Sequence, residues 1–506
     1  MERGTNKPNI LLIQSDQMVP FLMGAYGHKV VKTPNLDKLA EDSVRFDNAY
    51  TPCPICAPAR ASTFTGKYIS DIGCYDNASP LHCDEPTIAH YLTNAGYDTV
   101  ANGKMHIIGP DQLHGFGKRL TTNIYPSDFW WTTTRDEKEI KDLHTQPIAI
   151  DYVTAGKRLW SMALDFDEET QHRALEYLRS KSPLRTGSLQ VPQEKRDERP
   201  FFLITSYQLP HEPFHVTEEL WNLYQGEQIE IPKIPPDIEE RYSLMDKWLN
   251  KFHGVDRVDL NNKKKLYNLR RSYYGLVTYV DRKVGELIEA LEKCGFRDNT
   301  IVIFQSDHGD MLGEKGMVQK RTFYEYSSRV ALIINFPKAW GDKFRGVKYK
   351  GLVSLIDIMP TIMDICGIDD YIPVEGESLI KLLERDKHHE RVIFSEYHTE
   401  GVYVPCFMVR RGKYKYVYIT GKQCQLFDIE SDPHENNDLS GKPEYREIEE
   451  QLRTCLLARF NPTDIDKDVR ESLIKRQIIR PAMRKNDTYW DYQPFFDATK
   501  QYWRYV

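Results

Sequence analysis

The 506-residue sequence has no long apolar run, no block of basic residues and no regular cysteine framework. No stretch approaches the ~20 apolar residues of a membrane-spanning helix, which argues against an integral membrane protein. The formal net charge is −6, and lysine and arginine are spread along the chain, so a nucleic-acid-binding surface is not supported. The nine cysteines are irregularly spaced, which is typical of reduced, mostly buried thiols rather than of a disulfide scaffold.

The N-terminal segment is polar, and its apolar run from Ile10 to Ile13 is too short for the core of a secretion signal. We therefore expect a cytoplasmic protein, with a leader already removed from the chain as the open alternative. Hydrophobic residues make up 40% of the sequence and charged residues 28%, as in soluble globular enzymes. A chain of this length exceeds one compact core, so we predict a catalytic domain over residues 1–386 and a C-terminal subdomain over 387–506.

Short apolar runs alternate with helical patterns through most of the predicted catalytic domain. Apolar residues recur at three and four positions from Leu276 to Leu291, which predicts a long amphipathic helix that ends near Gly295. This alternation is typical of an α/β fold with a mainly parallel central sheet and helices on both faces. The predicted strands are residues 9–14, 98–101, 200–207, 300–305 and 330–336, and the other predicted helices are residues 33–41, 87–94 and 353–366.

The pattern changes after about residue 386. Four short strand-like segments follow, separated by turns such as Arg411-Gly412. They predict a small antiparallel sheet in the C-terminal subdomain, followed by a C-terminal tail. The four segments are residues 391–397, 403–410, 413–419 and 423–429.

The strongest motif is the run CAPARASTFTG, which begins at Cys56 and contains Pro58 and Arg60. The run overlaps the segment CPIC from Cys53 to Cys56, which also fits a thioredoxin-like pair of redox cysteines. A redox pair does not account for the spacing of Pro58 and Arg60. We therefore favour a separate role for Cys56 and keep the redox pair as a rival interpretation.

A second set of residues has the composition of a divalent-metal site. Asp16 and Gln17 follow the first predicted strand, and Asp307 and His308 follow a later one. Because ligands bind beyond the carboxyl ends of parallel strands, we expect the two pairs to converge there. Oxygen ligands with one imidazole suit Ca²⁺ or Mg²⁺. Taken alone, the later pair would more often belong to a surface loop.

Three further segments carry candidate catalytic side chains. Lys104 and His106 lie in the run GKMH, and in an extended segment both would point to one face. His211 lies in the run PHEP after a predicted strand, and Lys320 begins the run KRTFYE. Each residue alone would more often be structural or solvated, and a lone lysine is usually at the surface. Their order along the chain and the presence of the other motifs favour a functional role for them.

Together these motifs resemble the formylglycine-dependent sulfatases of the alkaline phosphatase-like superfamily, whose signature is Cys-x-Pro-x-Arg followed by Thr-Gly. The resemblance implies a three-layer alkaline phosphatase-like sandwich. It also implies that a formylglycine-generating or sulfatase-maturating enzyme oxidises Cys56 to formylglycine. In this family the hydrated aldehyde attacks sulfur with one hydroxyl, and the other hydroxyl later expels sulfate. A covalent intermediate divides one difficult step into two, and the second hydroxyl provides an intramolecular exit.

The resemblance assigns a role to each candidate. A divalent metal, Ca²⁺ before Mg²⁺ or Mn²⁺, would lower the pKa of the attacking hydroxyl and neutralise sulfate oxygens. Arg60 would brace the modified cysteine, Lys104 and His106 would hold it and the sulfate, and Lys320 would bind sulfate oxygens. His211 would protonate the leaving oxygen. The implied metal ligands are Asp16, Gln17, Cys56, Asp307 and His308.

Longer runs bring the sequence closest to the choline sulfatases: residues 103–116, 121–129, 306–314 and 490–495. This implies hydrolysis of choline sulfate or a related small organic sulfate by a homo-oligomer, a dimer or a tetramer. A quaternary ammonium is recognised by aromatic faces and nearby carboxylates. A tryptophan pair can equally pack in a hydrophobic core. The candidate residues for the leaving group are Asn77, Trp130, Trp131, His144 and Glu400.

Some positions near the expected substrate depart from the choline sulfatases. Ala59 stands where those enzymes have serine, Trp130 interrupts their Phe-Gly-Trp, and residues 317–319 before Lys320 are atypical. The nearest rival is a phosphonate monoester or phosphodiester hydrolase of the same superfamily. The sequence is also compatible with a sulfatase of aryl or sugar sulfates, a thiol-redox protein, and an unmodified, catalytically silent binding protein.

Overall fold

The computed structural model describes residues 7–135, 148–184, 197–385 and 391–495. Its strands are β1 Asn9–Ser15, β2 Val44–Tyr50, β3 Asp98–Gly103, β4 Lys118–Arg119, β5 Gly156–Lys157, β6 Phe201–Tyr207, β7 His215–Val216, β8 Thr300–Ser306, β9 Arg329–Val330, β10 Leu332–Asn335, β11 Val347–Ser354, β12 Val392–Tyr397, β13 Cys406–Arg411, β14 Tyr414–Ile419 and β15 Gln423–Asp428.

The α-helices of the same ranges vary from single turns to a helix of 31 residues. They are α1 Pro34–Glu41, α2 Cys56–Thr65, α3 Ile69–Ile72, α4 Ile88–Asn94, α5 Ala149–Val153, α6 Met162–Lys181, α7 Glu218–Asn222, α8 Ile238–Arg241, α9 Leu244–His253, α10 Lys263–Lys293, α11 Glu325–Ser328, α12 Ile358–Cys366, α13 Leu379–Glu384, α14 Arg446–Arg459 and α15 Pro462–Lys485. None of the helices in the described ranges combines the length and the apolar character needed to cross a bilayer.

The central sheet has the strand order β11-β2-β10-β8-β1-β6-β3-β4, with β9 beside β2. Strand β1 pairs in parallel with both β6 and β8, and β3 pairs in parallel with β6. Only β9 and β10, among the described strands of this sheet, run antiparallel to their neighbours. The predicted α/β fold with a mainly parallel central sheet is confirmed.

Side chains that alternate along β1 enter two separate hydrophobic cores. Leu11 and Ile13 belong to the core shared with the apolar face of α10, whereas Ile10 and Leu12 belong to the core shared with α4 and α12. A strand buried on both faces needs an unbroken apolar run, and β1 has one. Helices therefore cover both faces of the sheet, which gives the three predicted layers.

The predicted C-terminal sheet is also present. Strands β12 to β15 form a four-stranded antiparallel meander in sequence order, close to the four predicted segments. The sequence analysis did not predict helices α14 and α15, which follow the sheet. The predicted domain boundary falls at residues 386–390, which lie outside the described residues, so the division at 386/387 stays a prediction.

Two predicted elements are wrong in part. The predicted strand 330–336 is split, because Val330 pairs with Ala49 of β2 while β10 pairs with both β8 and β2. The predicted helix 353–366 begins at Ile358, because residues 353 and 354 complete the parallel pairing of β11 with β2. A short apolar run does not distinguish a buried strand from a buried helix.

Candidate active site

The site forms where four neighbouring parallel strands of the sheet end. Ser15 at the end of β1 is in register with Ser306 of β8 and Tyr207 of β6, and Ser206 is in register with Gly103 of β3. The residues that follow each strand therefore meet at one edge of the sheet. They include Asp16, Gln17, Lys104, His106, His211, Asp307 and His308, all of them buried.

Cys56 reaches this edge as the first residue of α2. All ten residues of α2 are buried, and the small side chains of its run CAPARASTFT permit close packing. Pro58 lies in the first turn, where the missing N–H has no intrahelical partner to lose. Asn77 Oδ1 accepts a hydrogen bond from Ala57 N at 3.0 Å, which satisfies one free donor of that turn. Arg60, four residues on, lies on the same helix face as Cys56.

A buried cluster of metal-ligand type surrounds Cys56. One ligand atom from each of Asp16, Cys56, Asp307 and His308 lies within 4.8 Å of the others. Cys56 Sγ is 3.1 Å from His308 Nε2 and 3.8 Å from Asp16 Oδ1. Burial lowers the pKa of His308, which favours the neutral imidazole that a metal binds. This donor set and its burial fit a divalent cation.

The two carboxylates of the cluster are also paired with buried cations. Arg60 Nε donates to Asp307 Oδ2 at 2.9 Å and its terminal nitrogen donates to Asp16 Oδ2 at 3.1 Å, while Lys104 Nζ forms an ion pair with Asp16. Burial alone would raise the pKa of Asp16, but Lys104 and the other neighbouring cations hold it well below its usual value. Asp16 is thus kept as a carboxylate.

Gln17 connects the cluster to a second group of polar residues. Its backbone N–H donates to Asp307 Oδ1 at 3.1 Å. Its side-chain Oε1 accepts a hydrogen bond from Lys320 Nζ at 2.5 Å, and its Nε2 donates to Glu212 Oε2 at 2.8 Å and to Asp310. In this arrangement the side-chain oxygen, the atom that would bind a metal, faces Lys320.

His211 and Lys320 form a buried pair beside Gln17. Lys320 Nζ lies 2.7 Å from His211 Nε2, and His211 Nδ1 lies 2.8 Å from the carbonyl of Glu212. Burial lowers the pKa of Lys320, but its neighbours Cys56, Glu212 and Asp16 outweigh this and leave the pKa raised. The two facing nitrogens can share one proton, so the pair can deliver a proton at His211 Nε2.

His106 is buried with no hydrogen-bond partner on either ring nitrogen within the described part of the chain. Its ring centroid lies 5.3 Å from that of Tyr125 and 6.0 Å from that of Trp131. Burial and the charge of Lys104 hold the pKa of His106 well below its usual value. Buried polar atoms without partners are rare in proteins, so these nitrogens mark a place for a ligand.

The predicted extended conformation of residues 104–106 is wrong. Strand β3 ends at Gly103, which has a φ of +84°, and His106 has a φ of +55°. At Gly103 an added Cβ would lie 2.0 Å from the carbonyl oxygen of Ser206, so only glycine fits. The turn nevertheless buries both Lys104 and His106.

Five non-glycine residues around the site have a left-handed backbone: Gln17, His106, Gln319, Arg321 and Glu400. Such a conformation costs on the order of 1–3 kcal/mol for each residue and persists only where the surrounding structure imposes it. Sequence patterns do not reveal it at non-glycine positions. Its concentration here is typical of a functional site.

A cavity of about 860 Å³ opens from Cys56, His211 and Lys320 towards the surface. Of the residues predicted to contact the leaving group, Asn77, Trp130, Trp131 and Glu400 line this cavity. Trp130 is 50% exposed, so it does not pack in a core. His144 lies outside the described residues.

The sequence analysis missed several residues of the cavity. Tyr125 lies beneath the Lys104 ammonium, with Nζ 4.3 Å from the ring centroid, and Arg321 binds Glu400 Oε2 at 2.8 Å. Arg480 and Arg484 come from α15, far along the sequence. Arg321 lies next to Lys320 and Tyr125 lies in the run 121–129, so their positions in the sequence could have pointed to them, whereas no motif contains Arg480 or Arg484.

The environment of Cys53 argues against the redox rival. Cys53 is fully buried. Burial and the nearby Glu396 raise the pKa of its thiol well above the usual value. Redox-active cysteines require the opposite shift.

Comparison with known proteins bears on the chain as a whole. A model of the sulfatase family matches residues 8–368, and a model of the N-sulphoglucosamine sulphohydrolase C-terminal region matches residues 313–461. The chain is 37% identical over 517 residues to a choline-sulfatase of Rhizobium meliloti, which covers 99% of this chain and 96% of that protein.

Solved structures share the fold at lower identity. A 2-O GAG sulfatase matches with a TM-score of 0.70 and 24% identity over 92% of this chain and 94% of its own. The phosphonate monoester hydrolase of Agrobacterium radiobacter matches with a TM-score of 0.69 and 23% identity over 89% of this chain and 95% of its own. At this identity the two structures support the alkaline phosphatase-like fold alone.

Proposed function

The chain belongs to the sulfatase family of sulfuric ester hydrolases, and from that premise we propose that it releases inorganic sulfate from a small organic sulfate ester. The observation that carries the proposal is the buried convergence of Asp16, Asp307 and His308 on Cys56, with Lys104 and Lys320 nearby. Two cations beside a metal-type cluster suit the binding of a tetrahedral anion.

We propose that Cys56 is converted to formylglycine by a formylglycine-generating or sulfatase-maturating enzyme. Its place at the first residue of α2, inside the cluster and on the cavity wall, supports a nucleophilic role. A helix N-terminus carries a partial positive charge, which favours negative charge on a nucleophile there. The hydrated aldehyde would supply the attacking hydroxyl.

The proposed metal ligands are Asp16, Gln17, Asp307 and His308 with the modified Cys56, and Ca²⁺ is the first candidate, before Mg²⁺ and Mn²⁺. When bound, the ion would act as a Lewis acid on the sulfate oxygens and lower the pKa of the nucleophile. The buried carboxylates and imidazole support this assignment. In it, Gln17 Oε1 gives up its hydrogen bond from Lys320, which becomes free to bind sulfate.

The contacts of the side chains support the remaining proposed roles. Arg60 pairs with Asp16 and Asp307 and would hold them in place, and Lys104 and His106 would bind the sulfate group. We propose that His211 protonates the leaving oxygen from Nε2, the atom that faces Lys320.

Choline sulfate is the candidate substrate that the subfamily resemblance supplies, and the similarity to a choline-sulfatase supports it. Aryl and sugar sulfates are the alternatives within the family. Assembly into a dimer or tetramer stays a prediction.

The proposal is tested on protein produced together with a maturating enzyme. The mass of the peptide that contains Cys56 should be about 18 Da below that of the unmodified peptide, as conversion of the thiol to an aldehyde requires. Release of sulfate from choline sulfate and 4-nitrophenyl sulfate is then compared with hydrolysis of a phosphonate monoester and a phosphodiester. Preferred turnover of the phosphorus esters, or an unmodified thiol in protein that still turns over sulfate esters, would contradict the proposal.

A further inference from the structure

The outer wall of the cavity is rich in positive charge. Three guanidinium groups and the Lys320 ammonium line the cavity, against two carboxylates, Glu212 and Glu400. A quaternary ammonium would require the reverse balance, because like charges in a partly buried site repel each other. The three arginines of the wall are Arg321, Arg480 and Arg484.

Both carboxylates are already engaged by the protein. Glu400 Oε2 accepts from Arg321 at 2.8 Å, and its Oε1 accepts from the backbone N–H of Asn77 at 2.7 Å. Glu212 accepts from Gln17 Nε2 at 2.8 Å and from Gln319. The Lys320 ammonium lies 4.0 Å from Glu212 Oε1, and Arg321 pairs with Glu400, so each carboxylate already has a cationic partner.

The two arginines of α15 have no carboxylate partner within the described ranges. Arg480 donates to the carbonyl of Thr132 at 3.0 Å, while its Nε is buried without a hydrogen-bond partner. Burial and the neighbouring charge of Arg484 lower the pKa of Arg480. An anion beside the pair would provide both the missing acceptor and the missing charge.

The exposed aromatic face of the wall, that of Trp130, is already occupied by a cation. The guanidinium carbon of Arg484 lies 3.7 Å from the ring centroid of Trp130, a cation–π contact. Arg321, which also lines the cavity, is only 6% exposed, and its buried Nε has no hydrogen-bond partner in the described part of the chain. The wall thus offers unused hydrogen-bond donors at two places.

Within the hydrolysis proposed above, we propose that the alcohol released by the enzyme carries a second anionic group, a carboxylate, sulfate or phosphate, which Arg480 and Arg484 bind. The cavity of about 860 Å³, which Cys56, Arg480 and Arg484 all line, has room for an organic body between this group and the scissile sulfate. The inference depends on the proposed sulfatase activity and replaces choline with an anionic leaving group.

The first experiment uses the mature enzyme and three aryl sulfates with the same ring. The substrates are phenyl sulfate, 4-carboxyphenyl sulfate and 4-(trimethylammonio)phenyl sulfate, with rates corrected for the pKa of each phenol. We expect kcat/KM to be roughly tenfold or more higher for the carboxylate than for the uncharged ester, the size of a charge-assisted hydrogen bond. Equal rates, or a preference for the cationic ester, would overturn the inference.

The second experiment compares the variants R480Q and R484Q with K475Q, a matched change at an exposed lysine of the same helix that does not line the cavity. Each arginine variant should lower the ratio of kcat/KM between the carboxylate and the uncharged ester, whereas K475Q should leave it unchanged. If the arginines only attract sulfate or fix the loop at Thr132, both substrates lose rate equally and the ratio stays constant. That outcome counts against the inference.

Failure of the inference can be told from failure of the proposed function. An enzyme that turns over the uncharged ester without favouring the anionic one remains a sulfatase, and only the leaving-group assignment falls. If an enzyme with mature Cys56 turns over none of the sulfates, both the proposed function and the leaving-group assignment are wrong. Replacing the carboxylate with a second sulfate or a phosphate on the same ring then distinguishes among the three anions.

Discussion

At the inner end of the cavity, Asp16 and Asp307 are paired with Arg60, whereas at the outer end Arg480 and Arg484 have no carboxylate partner in the described parts of the chain. The two inner carboxylates follow the ends of adjacent strands, Arg60 comes from α2, and all three side chains are buried. The outer groups come from a loop and from α15, and Trp130 is half exposed. This difference suggests that the inner end determines the reaction and the outer end determines which alcohol leaves.

The largest effect is expected from removing the proposed nucleophile, Cys56. Cys56→Ala should lower kcat by at least ~10⁴-fold while the far-UV circular dichroism spectrum is kept, since the loss of a nucleophile removes the covalent step. Sulfate release measured by ion chromatography reports the rate. Cys53→Ala is the matched control, a buried cysteine outside the cluster, and should keep a rate within about twofold. A fully active Cys56→Ala protein, or a silent Cys53→Ala protein, would reverse our assignment of the two thiols.

Weakening the metal cluster should come next in size. Asp307→Asn removes one proposed oxygen ligand of the metal and leaves Arg60 with one carboxylate, so we expect kcat to fall roughly 10²- to 10³-fold, as for lost electrostatic stabilisation at an active site. Dialysis against a chelator should inactivate the wild-type enzyme, and added Ca²⁺, Mg²⁺ or Mn²⁺ should restore it. Asp298→Asn, an exposed change before β8, serves as the control. Unchanged activity after complete metal removal, verified by elemental analysis, argues against the metal.

One buried ion pair joins helix α15, which carries Arg480 and Arg484, to the catalytic part of the chain. Arg476 of α15 binds both oxygens of Asp76, at 2.6 and 2.8 Å, and both residues are nearly inaccessible. Arg476→Met leaves a buried carboxylate without its partner, so the free energy of unfolding should fall by about 3 kcal/mol. Arg470→Met, at an exposed pair on the same helix, should change it by less than about 1 kcal/mol. Urea unfolding measures both, and equal effects would mean that α15 is not held by this pair.

The smallest effect is expected at the outer aromatic wall. Trp130→Ala removes the ring beneath Arg484, so KM should rise several-fold, by about 1 kcal/mol of binding, while kcat stays within about twofold. Trp160→Ala, at a similarly exposed tryptophan that does not line the cavity, is the control. Steady-state kinetics on one substrate separates the two parameters. A large loss of kcat in Trp130→Ala would contradict the assignment of the outer end to leaving-group binding alone.

What could be predicted from the sequence follows the same division. Asp16 and His308 were placed together because each follows a buried strand, and adjacent parallel strands end at one edge. Cys56 and Arg60 were assigned through the resemblance of their motif to the sulfatase signature. The helix that brings them to one face, Cys56–Thr65, was not predicted.

The outer end could not be predicted in the same way. Helix α15 reaches the loop through contacts such as Arg480 with Thr132, which join residues 348 apart in the sequence. The pairing of Arg321 with Glu400 depends on left-handed backbone at both residues, and no side-chain pattern marks it. Contacts of this kind depend on how whole elements dock, which a single sequence does not encode locally.

The burial of α2 has a consequence for the order of events during synthesis. Cys56 is 1% exposed, and its neighbour His308 comes 252 residues later in the chain. A growing polypeptide therefore presents this thiol as an accessible side chain until the strand that precedes His308 has left the ribosome. If a second enzyme oxidises Cys56, it acts on the nascent or newly released chain, and its supply relative to the rate of translation sets the fraction of molecules that become active.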